Sequence, residues 1–153
     1  VVYYSFSGST RALAGEIALQ TGADLRELLP QKPYAFDYNT AAKEARNEIS
    51  RGFCPKLREG NESIHRYAMV YIGTPNWFKS MAPPVLSFLR QHDFSNKTLA
   101  PFCTHGGGGF GNIEAQIAEA CPRSVLLPGL AVYGGPDEKM ISTWLQSIGR
   151  SRP

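Results

Sequence analysis

Hydroxyl side chains are concentrated near the start of the chain, where Ser5, Ser7, Ser9 and Thr10 fall within six residues. An apolar run, residues 1–4, precedes them and a helical pattern follows, which predicts a strand, a short loop and the start of a helix. Backbone N–H groups and the helix dipole at such a place attract an anion, and the hydroxyl groups can add hydrogen-bond donors. The segment therefore predicts a phosphate-binding loop, with a simple Ser/Thr helix cap as the alternative.

This loop differs from the P-loop of proteins that hydrolyse nucleoside triphosphates. It contains no lysine, the spacing Gly-x-x-x-x-Gly-Lys-Ser/Thr is absent, and the cation close by is Arg11. Gly8 lets the backbone come close to a ligand or adopt a positive φ. We therefore expect a phosphate group that is bound and retained, not one that is transferred.

Length and composition restrict the class of protein. The 153 residues, 42% hydrophobic and 19% charged, predict a single globular domain over residues 1–153. No apolar run reaches the ~18 residues of a membrane-spanning helix. The formal net charge is +3, and the Lys and Arg residues are scattered without a basic stripe, which argues against the binding of nucleic acid.

The cysteines and the N-terminus bear on the location of the protein. Cys54, Cys103 and Cys121 have no metal-ligand spacing, so no metal site is expected, and their odd number favours a reducing compartment. We expect a cytoplasmic protein. A removed N-terminal leader is left open, because the sequence starts without Met inside what reads as a strand.

Strand-like and helix-like segments alternate about five times along the chain. The predicted strands are residues 1–4, a short strand within 24–29, then 67–72, 98–104 and 125–132, the last interrupted at Pro128 and Gly129. The predicted helices are a first one ended by Gly22, an exposed one at 41–49, and three that begin near Pro83, Asn112 and Asp137. This alternation predicts right-handed βαβ crossovers and an α/β fold: a doubly wound open sheet of parallel strands with helices on both faces.

Three unusual loops follow strands and should meet at the carboxyl edge of the sheet, where open α/β sheets bind ligands. They are residues 5–10, 74–81 and 104–111. The second presents Trp77 and Phe78, which suit the cover of a flat ligand unless they pack at the rim. The third has five glycines within residues 106–111 and brings bare backbone near a ligand, unless it is a flexible connector. Together the loops predict a site for a phosphorylated planar heterocycle.

The chain resembles the flavodoxin family, whose members bind flavin mononucleotide (FMN). Residues 4–10 (YSFSGST) look like the family's phosphate loop, and residues 73–78 (GTPNWF) are similar to the first loop that flanks the flavin ring. Residues 102–104 with the glycine run occupy the place of the second ring-flanking loop, and residues 129–136 look like a flavodoxin ending. The resemblance implies five parallel strands in the order 2-1-3-4-5.

The resemblance also implies which residues contact the flavin. The hydroxyl residues of the first loop would hold the phosphate, Trp77 would stack on the isoalloxazine ring, and the backbone of residues 104–108 would meet the polar edge of the ring. No catalytic residue is implied. The implied cofactor-binding residues are Ser5, Phe6, Ser7, Gly8, Ser9, Thr10, Thr74, Pro75, Asn76, Trp77, Phe78, Thr104, His105, Gly106, Gly107 and Gly108.

Two departures from the family pattern bear on the function. Many flavodoxins carry a tyrosine in the second ring-flanking loop, where this chain offers only His105 and Phe110, and flavodoxins are typically acidic where this chain is slightly basic. The favoured hypothesis is a carrier of single electrons between a reductase and an acceptor protein, as a monomer or a weak dimer. The alternatives are an FMN-dependent NAD(P)H:quinone or nitro-compound reductase, and a module that binds a phosphate ligand without redox chemistry.

Overall fold

The computed structural model describes residues 1–60 and 63–149; residues 61, 62 and 150–153 of the predicted domain lie outside this part. The strands are β1 (Val2–Tyr3), β2 (Arg26–Glu27), β3 (Met69–Trp77), β4 (Ser80–Met81), β5 (Thr98–His105), β6 (Val125–Leu126) and β7 (Leu130–Tyr133). The helices are α1 (Ser9–Thr21), α2 (Tyr38–Arg51), α3 (Pro83–Gln91), α4 (Ile113–Ala120) and α5 (Glu138–Gly149), with a 3₁₀ turn at Ile64–Arg66. Within these residues, no helix is both long enough and apolar enough to cross a bilayer.

The sheet has the order β2-β1-β3-β5-β6, and β7 pairs with β5 beyond the end of β6. These pairs are parallel, whereas the short β4 runs antiparallel beside the end of β3. The fourth predicted strand corresponds to β5. The fifth corresponds to β6 and β7, which lie on either side of Pro128 and Gly129. The predicted order 2-1-3-4-5 is therefore confirmed. The predicted α/β fold is therefore also confirmed.

Apolar residues alternate between the two faces of β3 and β5, so each face of the sheet has its own core. Val70 and Ile72 pack in the core that α3 and α4 cover. Tyr71 and Phe102 pack in the core that α1 and α5 cover. Complete burial of a side chain of this size stabilises the fold by ~1.5–3 kcal/mol. The two cores therefore hold the carboxyl ends of the central strands in place.

Helix α2 is longer and better buried than the sequence predicted. It begins at Tyr38, not at residue 41, because the Asp37 carboxylate caps it and accepts a hydrogen bond from the Thr40 N–H at 2.9 Å. Ala41 and Ala45 are buried, so the expectation of an exposed helix is wrong for this face. These small side chains let the first turns of α2 pack close to the carboxyl edge of the sheet.

The segment predicted as a loop over residues 74–81 is a tight β-hairpin, which corrects the sequence reading. Strand β3 continues to Trp77, and Trp77 pairs with Ser80 of β4 across a two-residue turn. The turn residues Phe78 and Lys79 have φ of +56° and +65°. Two positive φ values give the twist that a two-residue hairpin needs, at a cost of ~1–2 kcal/mol for each residue with a Cβ. Contacts from outside the hairpin must therefore hold this turn.

Candidate functional site

Ser5 shapes the first loop. Its Oγ accepts hydrogen bonds from the N–H groups of Gly8 (3.1 Å) and Arg11 (3.2 Å). Gly8 has φ of +103°, in a region that glycine favours, and it directly precedes α1. Because the Ser5 oxygen is the acceptor in both bonds, its hydroxyl hydrogen is still available. Ser5 therefore orders the loop and keeps one donor for a ligand.

The start of α1 presents several donors suited to an anion. The first turn of a helix leaves N–H groups without intrahelical acceptors. Within the described part of the chain, those of Ser9 and Thr10 have no hydrogen-bond acceptor. Ser7 and Ser9 are exposed, and their Oγ atoms lie 3.4 Å apart. N–H groups and hydroxyl groups beside the positive end of a helix are what a phosphate group requires.

Thr10 and Arg11 are engaged elsewhere in the fold. The Thr10 hydroxyl is buried and lies 2.8 Å from the hydroxyl of Thr104, at the end of β5. This bond joins the first loop to the third, and the Thr10 N–H has no acceptor within the described part of the chain. The Arg11 guanidinium hydrogen-bonds to the Glu27 carboxylate of β2. An anion in the loop would therefore be held mainly by N–H and hydroxyl groups.

Trp77 lies at the end of β3 in a cluster of four aromatic rings. Its ring meets those of Tyr34, Tyr4 and Phe6 at centroid distances of 5.2, 5.6 and 5.8 Å and at nearly right angles. Edge-to-face contacts of this kind stabilise by ~0.5–1.5 kcal/mol each beyond burial. Phe6 thus joins the first loop to the hairpin, and Trp77 has a defined orientation instead of an unpacked position on a loop.

A cavity of about 200 Å³ lies beside Trp77. Its walls are aromatic and its floor is the alanine face of α2; it is lined by Phe6, Tyr38, Ala41, Ala42, Ala45, Asn76, Trp77 and Phe78. The Arg46 guanidinium lies 4.6 Å from the centroid of the half-exposed Phe78 ring. Larger cavities lie elsewhere, one of about 390 Å³ between α2, α3 and α4. The cavity beside Trp77 adjoins the first loop through Phe6.

Asn76 connects the hairpin to the glycine-rich third loop. Its Nδ2 donates to the carbonyl of Gly109 (2.7 Å), and its Oδ1 accepts from the Lys79 N–H (2.9 Å). The Thr74 hydroxyl is likewise internal, since it accepts from the Ala82 N–H at 2.9 Å. The side chains of Asn76 and Thr74, both predicted to bind a cofactor, are therefore engaged in holding the site together. Pro75 lies half-buried between them.

The outer part of the third loop is bare backbone. Gly106, Gly107 and Gly108 are exposed, and a Cβ on either of the first two would meet no atom within 4 Å. The N–H of Gly107 donates to Nδ1 of His105 at 3.0 Å, which orders the start of the loop. Peptide groups in this position can approach a ligand without hindrance from side chains.

Two aromatic residues near the predicted loops were not expected to lie at the site, Tyr133 beside the third loop and Tyr34 beside the second. Tyr133, at the end of β7, is exposed, and its ring centroid lies 5.9 Å from that of His105. Tyr34 packs on Trp77 from a connecting segment. Phe110, considered as a ring neighbour, packs instead against Gly129, where a Cβ would come within 2.5 Å of its ring. Tyr133 could have been found from its position, because an aromatic residue at the carboxyl end of the last strand lies at the same edge of the sheet as the three loops.

Cys103 lies beneath the third loop and does not act as an exposed thiol. Its Sγ donates to the carbonyl of Gly109 at 3.5 Å. Burial raises the pKa of Cys103 to about 12, and the nearby Glu114 carboxylate acts in the same direction. The thiol therefore stays protonated at neutral pH. Within residues 1–60 and 63–149, no three His, Cys, Asp or Glu side chains form a group that could hold a metal ion.

The structure brings the three predicted loops together. The ring contact of Phe6 with Trp77 joins the first loop to the second. The hydroxyl pair of Thr10 and Thr104 joins the first loop to the third. The hydrogen bond from Asn76 to Gly109 joins the second loop to the third. This arrangement defines the class of protein: an open α/β sheet with a candidate ligand site formed by loops at its carboxyl edge. The chain belongs to the flavodoxin family, whose sequence profile, described as Flavodoxin, matches residues 1–148. The predicted resemblance is confirmed.

Solved structures agree with the fold. A protein of Bacteroides eggerthii that has been proposed as a flavoprotein is similar with a TM-score of 0.86 and 28% identity, over 97% of this chain and 95% of that chain. A flavoprotein of Lactobacillus acidophilus, solved in complex with FMN, has a TM-score of 0.75 and 21% identity over 94% and 95% of the two chains. Oxidised flavodoxin 2 of Bacillus cereus has a TM-score of 0.59 and 16% identity over 99% and 97%. No curated protein matches the chain.

Proposed function

We propose that the chain binds FMN at the carboxyl edge of the sheet and carries single electrons between partner proteins. The observation that carries this proposal is the junction of the three loops, which sets phosphate donors, an ordered tryptophan and bare backbone side by side. Family membership and the likeness to the Lactobacillus flavoprotein solved with FMN support the choice of cofactor.

The residues present fit each part of FMN. The terminal phosphate suits the Ser7 and Ser9 hydroxyls and the free N–H groups at the start of α1. The ring suits Trp77, and its polar edge suits the exposed peptide groups of Gly106 and Gly107. The loop offers one cluster of donors, which favours a terminal phosphate over the diphosphate bridge of an adenine dinucleotide.

When bound, the flavin supplies the electron chemistry, and the protein supplies binding, orientation and electrostatics. Ser5 holds the phosphate loop in shape, Trp77 excludes water from one side of the ring, and Asn76 keeps the hairpin and the glycine loop in register. The His105 Nδ1 accepts a hydrogen bond from the loop itself, so His105 orders this loop. The exposed edge leaves room for a reductase and an acceptor protein to approach in turn.

The cofactor is tested by titrating the purified apoprotein with FMN, riboflavin and the adenine dinucleotide. FMN should bind the most tightly, because only its terminal phosphate uses the donors of the first loop. Equal affinity for FMN and riboflavin would contradict the assigned phosphate site. A protein that takes up none of the three, yet binds inorganic phosphate, would be the phosphate-binding module considered above.

The second candidate function is an FMN-dependent reductase of quinones or nitro compounds, and the cavity of about 200 Å³ beside Trp77 favours it. Its aromatic walls and alanine floor could accept a planar apolar substrate next to the flavin. The two functions are separated by incubating the FMN-loaded protein with NAD(P)H and menadione. Steady oxidation of NAD(P)H by this protein alone identifies a reductase, whereas oxidation that requires an added flavodoxin reductase identifies a carrier.

A further inference from the structure

The orientation of Trp77 depends on a segment that the flavodoxin-like loops do not include. Tyr34 makes the shortest of the three ring contacts to Trp77, with 5.2 Å between centroids and 83° between planes. Tyr34 lies between β2 and α2, in a connection without regular secondary structure. A tyrosine on such a segment can order Trp77 only if the tyrosine is itself anchored.

Two glutamates on successive turns of α2 anchor this segment. The Tyr34 hydroxyl donates to Glu48 Oε2 at 2.5 Å, and the Ala35 N–H donates to Glu44 Oε2 at 3.3 Å. Residues four apart share one face of a helix, so Glu44 and Glu48 hold adjacent positions of the same segment. The bond from Tyr34 to a carboxylate is of the stronger, charge-assisted kind. The Tyr34 hydroxyl group thus forms a hydrogen-bonded connection from helix α2 to a ring that contacts Trp77.

The environment of the Glu48 carboxylate raises its pKa, so its protonation state depends on pH. Burial is the main cause that raises the pKa of Glu48, and the neighbouring Glu44 carboxylate adds to it. The Tyr34 hydroxyl, Arg51 and Lys32 act in the opposite direction. Across the cluster, Tyr4, directly after β1, also faces this charge, and burial with the charges of Glu48 and Glu27 raises the pKa of Tyr4. Burial and the hydrogen bond to Glu48 raise the pKa of Tyr34 as well. Both tyrosines therefore stay protonated, and within the Tyr34–Glu48 pair the carboxylate is the partner whose charge changes as pH falls.

We propose that Tyr34 and Glu48 are positioning residues for Trp77: their hydrogen bond fixes the indole ring in the orientation that covers the flavin, and protonation of Glu48 loosens it. A neutral carboxyl group accepts a hydrogen bond roughly half as strong as a carboxylate does. The inference rests on the proposed function, because it takes Trp77 to be the cover of the flavin ring. The inference adds that pH regulates how firmly Trp77 is oriented, through residues that lie outside the first and third loops.

The orientation of Trp77 is measured without FMN in the full chain labelled with 5-fluorotryptophan. The chain has two tryptophans, and Trp144 is an internal control, because its indole N–H donates to the Pro128 carbonyl in the opposite core. The ¹⁹F resonance of Trp77 should titrate with pH, whereas that of Trp144 should not follow it. Glu48→Gln and Tyr34→Phe should both abolish the titration, and Tyr34→Phe retains the ring contact.

Glu44→Gln is the matched control, because it removes the carboxylate charge one turn away from Glu48 and retains an amide oxygen that can accept from the Ala35 N–H. It should keep the titration of Trp77 and move its midpoint to lower pH, since the Glu44 charge opposes the ionisation of Glu48. A titration that persists in Glu48→Gln, or a Trp77 resonance unchanged by Tyr34→Phe, would overturn the proposal. So would a titration that only Glu44→Gln removes.

A second measurement adds FMN to the same variants. Tyr34→Phe and Glu48→Gln should weaken FMN binding about threefold to tenfold, the factor of one hydrogen bond, and weaken riboflavin binding by the same factor, because the phosphate loop is untouched. Unchanged FMN affinity alongside a changed Trp77 resonance would overturn the role in covering the flavin. If the wild-type protein binds no flavin, the proposed function fails, and the ¹⁹F titration still decides whether Tyr34 and Glu48 orient Trp77.

Discussion

The hydroxyl groups of the first loop divide between folding and binding. Ser5 accepts two backbone hydrogen bonds of the loop, and Thr10 is buried against Thr104. Ser7 and Ser9 are exposed and contact each other weakly, at 3.4 Å. All four residues carry a hydroxyl group, but those of Ser5 and Thr10 form hydrogen bonds within the fold, whereas those of Ser7 and Ser9 have only each other as hydrogen-bond partners among the described residues. Ser7 and Ser9 are therefore the residues whose loss should affect a ligand without affecting the fold.

We predict that Ser7→Ala weakens FMN binding by about 1–2 kcal/mol, the contribution of one charge-assisted hydrogen bond, and leaves thermal stability unchanged. Isothermal titration with FMN and riboflavin measures the effect, which should be confined to FMN. Ser5→Ala is the comparison, because it removes an acceptor for two N–H groups and should also lower the melting temperature. A loss of riboflavin affinity in Ser7→Ala equal to the loss for FMN would disprove the role.

We predict that Trp77→Ala weakens FMN binding by about 1–3 kcal/mol, because stacking and apolar burial are lost, and that it raises the fluorescence of the bound flavin. Titration of flavin fluorescence gives both quantities. Trp144→Phe is the control: it removes the other tryptophan from the core beneath α5 and should change neither. Unchanged affinity and fluorescence in Trp77→Ala would assign Trp77 to the packing of the rim.

At the scale of elements, the β3–β4 hairpin depends on its neighbours. Its turn places Phe78 and Lys79 at positive φ, which neither residue type favours. The Lys79 N–H donates to Asn76, and the Lys79 carbonyl accepts from the Asn112 N–H at 2.7 Å. Gly111 fits directly beneath, where a Cβ would come within 2.7 Å of the Lys79 Cα. Three contacts thus hold the turn in a conformation it would not adopt alone.

We predict that Gly111→Ala lowers the free energy of unfolding by about 1–3 kcal/mol, because the Cβ collides with the Lys79 backbone and φ at residue 111 is +53°. FMN affinity should fall as well, since the hairpin carries Trp77. Urea denaturation and FMN titration are the measurements. Gly15→Ala in α1 is the matched control: with no atom within 4 Å, it should stabilise by about 0.5–1 kcal/mol. Equal effects of the two changes would contradict the proposed contact.

The end of α3 gives a prediction for pH. His92 is half-buried against the Phe88 ring, and burial, followed by the charges of Arg26 and His65, lowers its pKa. Protonation therefore favours the unfolded chain. The stability from His92 is complete above the ordinary value of 6.5 and is lost as pH falls through the lowered folded value. The stability difference between wild type and His92→Gln should shrink from pH 7 to pH 5 in urea denaturation; a constant difference would contradict this assignment.

The charge of the whole molecule is unusual beside the acidic pattern typical of the family. The formal net charge is +3, and the sequence has no carboxylate between Gly73 and Ala82 or between Cys103 and Ile113. Lys79 lies exposed on the hairpin, and Arg46 lies over the Phe78 ring. A reduced flavin gains negative charge, so its surroundings should resist reduction less than those of an acidic relative.

We predict that Lys79→Glu lowers the reduction potential of bound FMN by tens of millivolts. At a separation of about 8 Å and an effective dielectric constant near 40, one charge contributes ~1 kcal/mol, which is about 40 mV for one electron. The shift should shrink at high salt. Redox titration of Lys79→Glu and of Arg123→Glu, at the amino edge of the sheet, gives the comparison. An upward shift, or the same shift in both variants, would remove the electrostatic argument.

The sequence alone determined the alternation of strands and helices and the three segments that meet at the carboxyl edge, because these depend on local pattern. The strand order followed from the family resemblance. Apolar runs fix strands that are covered on both faces, and glycine, proline and hydroxyl residues fix where they end. The parallel alternation then brings the ends of β1, β3 and β5 to one edge. The family resemblance through residues 4–10 and 73–78 followed from the same local segments, and the profile match over residues 1–148 bears it out.

Only the tertiary structure decided what individual side chains at that edge do. The pairing of Thr10 with Thr104, the use of Asn76 to hold Gly109, and the place of Tyr34 against Trp77 join segments distant in sequence. The hairpin at Phe78 and Lys79 contradicts local turn preferences, because contacts from Asn112 and Gly111 outweigh them. Such contacts cannot be predicted from local sequence pattern, because they form only after the sheet has brought the loops together.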